Sequence, residues 1–339
     1  MTSPLELTRA QIIAFRRRTS ALDTRLPAGP ASLRRAAWAG MTDSMPRAAL
    51  LSIHARVAGT GPDTWSDPAL VQLWSLRYSA YVVARADLGV FSLGRLPEDG
   101  PRRRLAYGIA DELEAFLSGR AMDAGVAGRA LGVNPNRFRY AAPTGRLLIR
   151  WDGARQPTIW MVPAPDLDPR EARLELARRY LHILGPGTPE GLGGWAGLKP
   201  PRAREAFDAL ADTMVPVRTP IGDAWILRED EAEIRIAGGP AAPARLLPSG
   251  DTFYLLQGND RELLVPDPAL RAELWTSRVW PGALLVAGDV AGTWRRGGPN
   301  VSIRTWRTLS AAERSDVEAE AASLPLPGLE GRITVTWDG

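Results

Sequence analysis

Residues 121–162, AMDAGVAGRALG followed by VNPNRFRYAAPTG and RLLIRWDGARQPTIWMV, carry the stretch on which the reading of this chain turns. An alanine-rich helix breaks at Gly132, a second helix opens at Asn134 and Pro135, and Gly145 ends it before two period-two runs, Leu147–Trp151 and Thr158–Val162. Helix, turn, helix and hairpin in that order is a helix-turn-helix with a wing. The second helix would expose Asn134, Asn136, Arg137 and Arg139, with Arg155 and Gln156 near the wing tip. Arg and Asn contact phosphates and base edges, so this face is a candidate nucleic-acid surface. The same module also serves as a structural or protein-contact unit, because a fold does not fix a function. Trp151 and Trp160 are expected to pair across the wing.

Working outward, clusters of Pro and Gly at 97–101, 163–169 and 238–243 cut the chain into four parts: 1–98, 99–166, 167–238 and 239–339. The first part opens with LTRAQIIAFRRR. It continues through SLRRAAWAGMTDSMPRAALLSIHARV and closes with SDPALVQLWSLRYSAYVVARADLGVFSLG, and as a whole reads as helical with a short extended end, a more weakly signalled winged helix. In the third part PREARLELARRYLHILG puts Leu174, Ala177, Leu181 and Leu184 on one helical face, ahead of TPEGLGGWAGL, PPRAREAFDALADTM and a strand pair. From about Ala244 the chain turns to strand-like runs, with one helix, SAAERSDVEAEAASL, before a terminal strand. The expected fold is α+β: about three tandem winged helix-turn-helix modules and a small mixed β domain at the C-terminal end.

Of the 339 residues, 45% are hydrophobic and 24% charged, enough apolar material for a real core. Cysteine is absent, which excludes disulfides and thiolate metal sites, and the two histidines, His54 and His182, lie far apart in sequence. No metal or cofactor is expected. Neither a signal core nor a membrane-length apolar run is present, so the expectation is a cytoplasmic, nucleoid-associated monomer. The net charge of +4 hides an asymmetry. Residues 1–150 hold 21 Arg against 12 acidic residues, a surplus of nine, whereas residues 151–339 hold 21 basic and 26 acidic residues, a deficit of five. A polyanion-binding face is therefore expected mainly in the first half. The short runs Arg16–Arg18 and Arg102–Arg104 fall there, and phosphate contact by some of them, Arg102 and Arg103 included, is part of that expectation.

Three stretches, LTRAQIIAFRRR with WAGMTDSMPRAALLSIHARV, then ARRYLHILGPGTPEGLGGWAGL, then RLLPSGDTFYLLQGNDRELLVP with ALLVAGDVAGTWRR, together resemble the AlkZ/YcaQ family of winged-helix DNA glycosylases. The resemblance covers nearly the whole chain. It implies tandem winged helices forming a positively lined cleft around double-stranded DNA, and cleavage of the N-glycosidic bond of bulky or cross-linked N7-alkylpurines. The family's Gln-x-Gln or Gln-x-Asp pattern corresponds here to Thr42 and Ser44, with Asp43 between them. Its Arg-Gly-Thr pattern with a following His corresponds to Arg77, Tyr78, Ser79 and Tyr81.

An N7-alkylguanine is cationic, so the bond to its sugar is already weakened, and a catalyst has chiefly to stabilise an oxocarbenium-like sugar and place a water. Thr42 and Ser44 could hold such a water, and Asp43 could act as general base or as partner of the sugar cation. The alternative is that Thr-Asp-Ser caps the helix that begins near Pro46. Trp38, Tyr78 and Tyr81 are candidates to stack on a displaced base, or else core aromatics. His54 is either a proton carrier or part of a packing layer. Lys199 is the one lysine and lies in a Pro-rich turn, which disfavours a Schiff-base lyase. The residues leave three readings open, a monofunctional DNA glycosylase, a non-catalytic lesion sensor or regulator, and a structural or protein-interaction scaffold.

Overall fold

The computed structural model describes residues 4–338 apart from Pro46, Asp99, Ala154, 237–241 and Glu330. It is an α+β structure with three sheets. The largest has six strands in the order Met41–Thr42, Ala80–Ala84, Leu70–Trp74, Leu147–Arg150, Thr158–Met161, Met122–Asp123. All its neighbours are antiparallel, and it joins two hairpins through a single registered pair, Gln72 opposite Ile149. One sheet thus runs across the division expected at 98/99.

Residues 121–162 form a short helix, Ala124–Ala130, a second helical segment, Pro135–Thr144, and the hairpin. Asn134 opens the second segment by accepting from the Asn136 amide, and Gly145 closes it at φ 72°. The segment is a 3-10 helix, not the α-helix expected, with Pro143 inside it. A proline there lacks the amide that an α-helical ladder needs. Behind it the helix Gly100–Leu117 packs through Ile109, Leu113 and Leu117 onto Phe138, Leu147 and Ile159.

Trp160 stands opposite Leu148, not Trp151. The two tryptophans pack into different core clusters, Trp160 with the central core and Trp151 with the core under the wing. The expected cross-strand pair does not form, because Trp151 lies one residue past its strand.

The segment read as mostly helical between Ser66 and Gly94 is a hairpin, Leu70–Trp74 and Ala80–Ala84, followed by a short helix, Leu88–Leu93. Every residue of both strands is buried. A strand covered on both faces shows no alternation, so its apolar run cannot be distinguished from a buried helix by period.

A three-stranded sheet pairs the N-terminal strand Leu5–Glu6 in parallel with Met214–Thr219, which pairs with Gly222–Leu227. Three helices lead into that hairpin: Pro169–Leu184, Pro189–Ala196 and Pro200–Leu210. The first is capped by Asp168, and Leu174, Ala177, Leu181 and Leu184 are all buried in the central core, as their spacing requires. The five-stranded C-terminal sheet runs Arg245–Leu247, Gly282–Val286, Asp289–Gly297, Asn300–Thr305, Thr334–Asp338. Helix Ala311–Ala322, with a Ser310/Glu313 capping box, covers it. Among the described residues no helix is long and apolar enough to cross a membrane.

Candidate nucleic-acid interface and active site

Gly40 starts the Thr42–Ser44 bend at φ 71°, and a Cβ there would come within 2.9 Å of the Phe91 ring. Thr42 pairs with Tyr81 in the large sheet, and the Asp43 amide donates to the Ala80 carbonyl at 2.8 Å. The chain then enters the helix Ala48–Arg56 through Arg47, held at φ 65°. The three residues of the bend therefore point in different directions. Thr42 is buried and its hydroxyl donates to the Gly250 carbonyl at 2.8 Å. Asp43 is 0% exposed. Its Oδ1 accepts from the Ala49 amide at 3.0 Å, and its Oδ2 accepts from Gln72 Nε2 at 2.6 Å. Only Ser44 is exposed.

Ser44 opens into a cleft of about 460 Å³ floored by Trp74 and Ile149. Asn136 and Arg139 reach it from the 3-10 helix, and Arg155 and Gln156 reach it from the wing. The bend and the winged segment, roughly 90 residues apart in the chain, meet here. The Arg139 guanidinium carbon lies 5.6 Å from the centre of the Trp74 ring, and the Arg155 carbonyl accepts from Trp151 Nε1 at 2.9 Å.

Behind the cleft, burial pushes the Asp43 carboxyl up to about 6, opposed by the Ala49 amide, by the charges of Arg47 and Arg150 and by the Gln72 hydrogen bond. Those two guanidinium groups lie 3.8 Å and 3.3 Å from the centre of the Trp65 ring. A cation-sandwiched tryptophan thus fixes two positive charges that favour an ionised Asp43.

A model of the family "DNA glycosylase AlkZ-like" matches residues 36–325, most of the chain. The chain belongs to that AlkZ-like DNA glycosylase family. Its fold is similar to the solved structure of Streptomyces sahachiroi DNA glycosylase AlkZ, with a TM-score of 0.78 at 19% identity over 98% of this chain and 100% of that one. No curated protein sequence matches it significantly.

In this AlkZ-like chain several expected site residues are placed elsewhere. Tyr81 is fully buried, so it cannot stack on a displaced base. Trp38 is covered by Arg179, whose guanidinium carbon sits 3.9 Å from its ring centre. Tyr78 remains half-buried, with Arg95 at 4.5 Å over its ring and Tyr140 edge-on at 5.3 Å. Thr42 faces the protein interior and not the cleft, and the Asp43 carboxylate receives a backbone amide of the following helix, the capping alternative.

The arginines divide in the same way. Arg16 and Arg17 are buried, Arg16 donating to the Gly185 carbonyl and Arg17 to Asp23 and the Gly288 carbonyl, so the expected phosphate contact fails for both. Arg137 pairs with Glu112 at 2.6 Å, and Arg103 donates to the carbonyls of Pro97 and Glu98. Arg77, at φ 53°, is half-buried against Gly197. Arg102 is exposed and lines a different cavity. His54 is in the packing role, its Nε2 beside Arg25 and Ser323, and burial lowers it to about 4.

Sequence reasoning passed over Gln72, Trp74, Trp65 and Tyr140. Gln72 carried a signal, being the one polar residue in the apolar run LVQLW. A buried amide inside a strand needs partners, and here it has two.

Proposed function

We propose that this chain binds double-stranded DNA along the cleft and acts as a monofunctional glycosylase that releases N7-alkylpurines by hydrolysis. The observation that carries the reading is the convergence of Ser44 with Asn136, Arg139 and Arg155 in one cleft. Arg139 and Arg155 supply positive charge for the phosphates, and Ser44 and Asn136, with Ser79 and Gln156, are uncharged polar groups available to hold a water beneath the sugar. Asp43, one residue behind Ser44, supplies negative charge toward a developing oxocarbenium ion without itself touching substrate. Among the described residues Lys199 does not line this cleft, which disfavours a Schiff-base lyase and supports water as the nucleophile.

The tandem winged-helix reading draws support from a recurring unit, a short strand added to a hairpin, at 41–84, 122–161 and 5–227. Three such modules in one chain are enough to hold a duplex, and we assign the working form as a nucleoid-associated monomer.

A second reading, a lesion binder without chemistry, is favoured by one observation: both Asp43 oxygens and the Thr42 hydroxyl are already engaged inside the protein. Release of free 7-methylguanine from methylated duplex DNA separates the two. Release that depends on Ser44 supports the glycosylase. Tight, salt-sensitive binding with no release of any N7-adduct overturns it in favour of the sensor.

A further inference from the structure

A second and larger cavity, about 780 Å³, lies on the other side of the turn that borders the cleft. Ser79 and Ala80 line the cleft while Tyr78 lines this cavity, so a single turn separates them. That turn holds two consecutive non-glycine residues, Arg77 and Tyr78, in the left-handed region at φ 53° and 59°. Strain of this kind persists where the surroundings enforce it. Its crest carries the edge-to-face pair Tyr78 and Tyr140, and Tyr140 is 47% exposed.

The cavity is strongly basic. Among the described residues its one carboxylate, Glu98, is bridged by Arg173 at 2.7 Å and Arg202 at 2.6 Å. Arg102 and Lys199 remain, both exposed, their side chains with no hydrogen bond or ion pair among the described residues. The helices Gly100–Leu117 and Pro200–Leu210 both begin at this cavity, adding the positive ends of two helix dipoles. Such a surplus of positive charge among the described residues, with room for a solvated anion, suits an external polyanion.

We propose that this cavity seats backbone phosphates of the DNA strand that leaves the cleft across the Tyr78–Tyr140 crest, with Arg102 and Lys199 as the phosphate contacts. The proposal rests on the DNA-binding reading above and extends the footprint beyond the cleft. Phosphodiester is the ligand chemistry, since the two cations offer donors and charge at the cavity.

The test is duplex affinity measured against salt concentration for the full chain and for Arg102→Gln, Lys199→Gln, the double variant and Arg332→Gln, an exposed position outside both cavities. Each cavity substitution is expected to lower the log–log salt slope by about 1 and the pair by about 2, with Arg332→Gln unchanged. The substituted side chains are exposed, so folding is retained and circular dichroism checks it. Slopes equal to the parent's overturn the proposal while leaving the cleft reading intact. Absence of duplex binding by the parent overturns both. Saturable binding of inorganic phosphate that Lys199→Gln removes, with DNA slopes unchanged, assigns the cavity to a free anion and also overturns it.

Discussion

Gln72 Nε2 donates to Asp43 Oδ2 at 2.6 Å, and Gln72 Oε1 accepts from the Trp151 amide at the same distance. One side chain at the only registered pair between the two hairpins ties the bend to the base of the wing. The cleft exists because those two parts are held together, and Gln72 is a buried polar link between them, beside the longer bond from Arg47 to the Trp151 carbonyl.

Gln72→Leu leaves the Trp151 amide and one Asp43 oxygen buried without a partner. Each lost partner costs about 1–3 kcal/mol, so unfolding by urea should require about 2–6 kcal/mol less than in the parent. A loss below 0.5 kcal/mol, on the same scale, means that water replaces the link.

Asp43 and His54 push stability in opposite directions with pH. The Asp43 carboxyl is raised to about 6, so its stabilising contribution is complete below about 3.8 and is lost as pH rises through 6. His54 is lowered to about 4, so its contribution is complete above 6.5 and is lost as pH falls through 4. Each spans about 3 kcal/mol at most. Relative to the parent, Asp43→Asn should gain stability at pH 7 over pH 4.5, and His54→Gln should gain it at pH 4.5 over pH 7. Denaturation midpoints that keep a constant offset across this range refute both.

If 7-methylguanine release needs the Asp43 charge, its rate should climb as pH rises through about 6 and level off above, the acid form being inactive. Asp43→Asn should lower the plateau and erase the climb. A variant that retains the parent's pH profile removes Asp43 from the chemistry.

Ser44→Ala should slow release at least tenfold with little change in melting temperature, since Ser44 is exposed and holds nothing inside. Thr42→Val should do the reverse. It breaks the 2.8 Å bond to the Gly250 carbonyl, at a cost of about 1 kcal/mol in stability, with release per folded molecule preserved.

Arg56 and Asp251 form a bidentate pair, 2.7 Å on both arms, almost wholly excluded from solvent, with Ser52 as a third partner of the carboxylate. Arg56→Met strips the charge partner from a buried aspartate and should cost about 3–5 kcal/mol in chemical denaturation. The pair joins the helix after the bend to the loop after Arg245–Leu247, so the same variant should loosen the bend. A stability within 1 kcal/mol of the parent means that the pair merely balances its own desolvation.

Amphipathic period, caps and glycine stops were readable along the chain. They predict Pro169–Leu184 with its buried leucines, the helix, turn, segment and hairpin of 121–162, and Ser310 opening its helix. The family resemblance was readable as well, because it rests on the order of segments. Buried strands were not: Leu70–Trp74 and Ala80–Ala84 are covered on both faces and lose the alternation that marks a strand. Arginine roles were equally hidden. The surplus of nine positive charges in the first half includes Arg16, Arg17 and Arg56, which crosslink the interior through carbonyls and carboxylates.

The sequence by itself determined the helix Pro169–Leu184 with its buried face, the order of helix, turn, helical segment and hairpin in 121–162 with its stop at Gly145, and the family resemblance. Tertiary structure alone decided that Ser44 faces the cleft while Thr42 and Asp43 turn inward, that Tyr81 is core, and that Arg102 and Lys199 share a second basic hollow. The reason is physical: local propensity acts over a few residues, whereas the direction of a side chain, and the partner that neutralises its charge, are set by contacts between segments far apart in the chain.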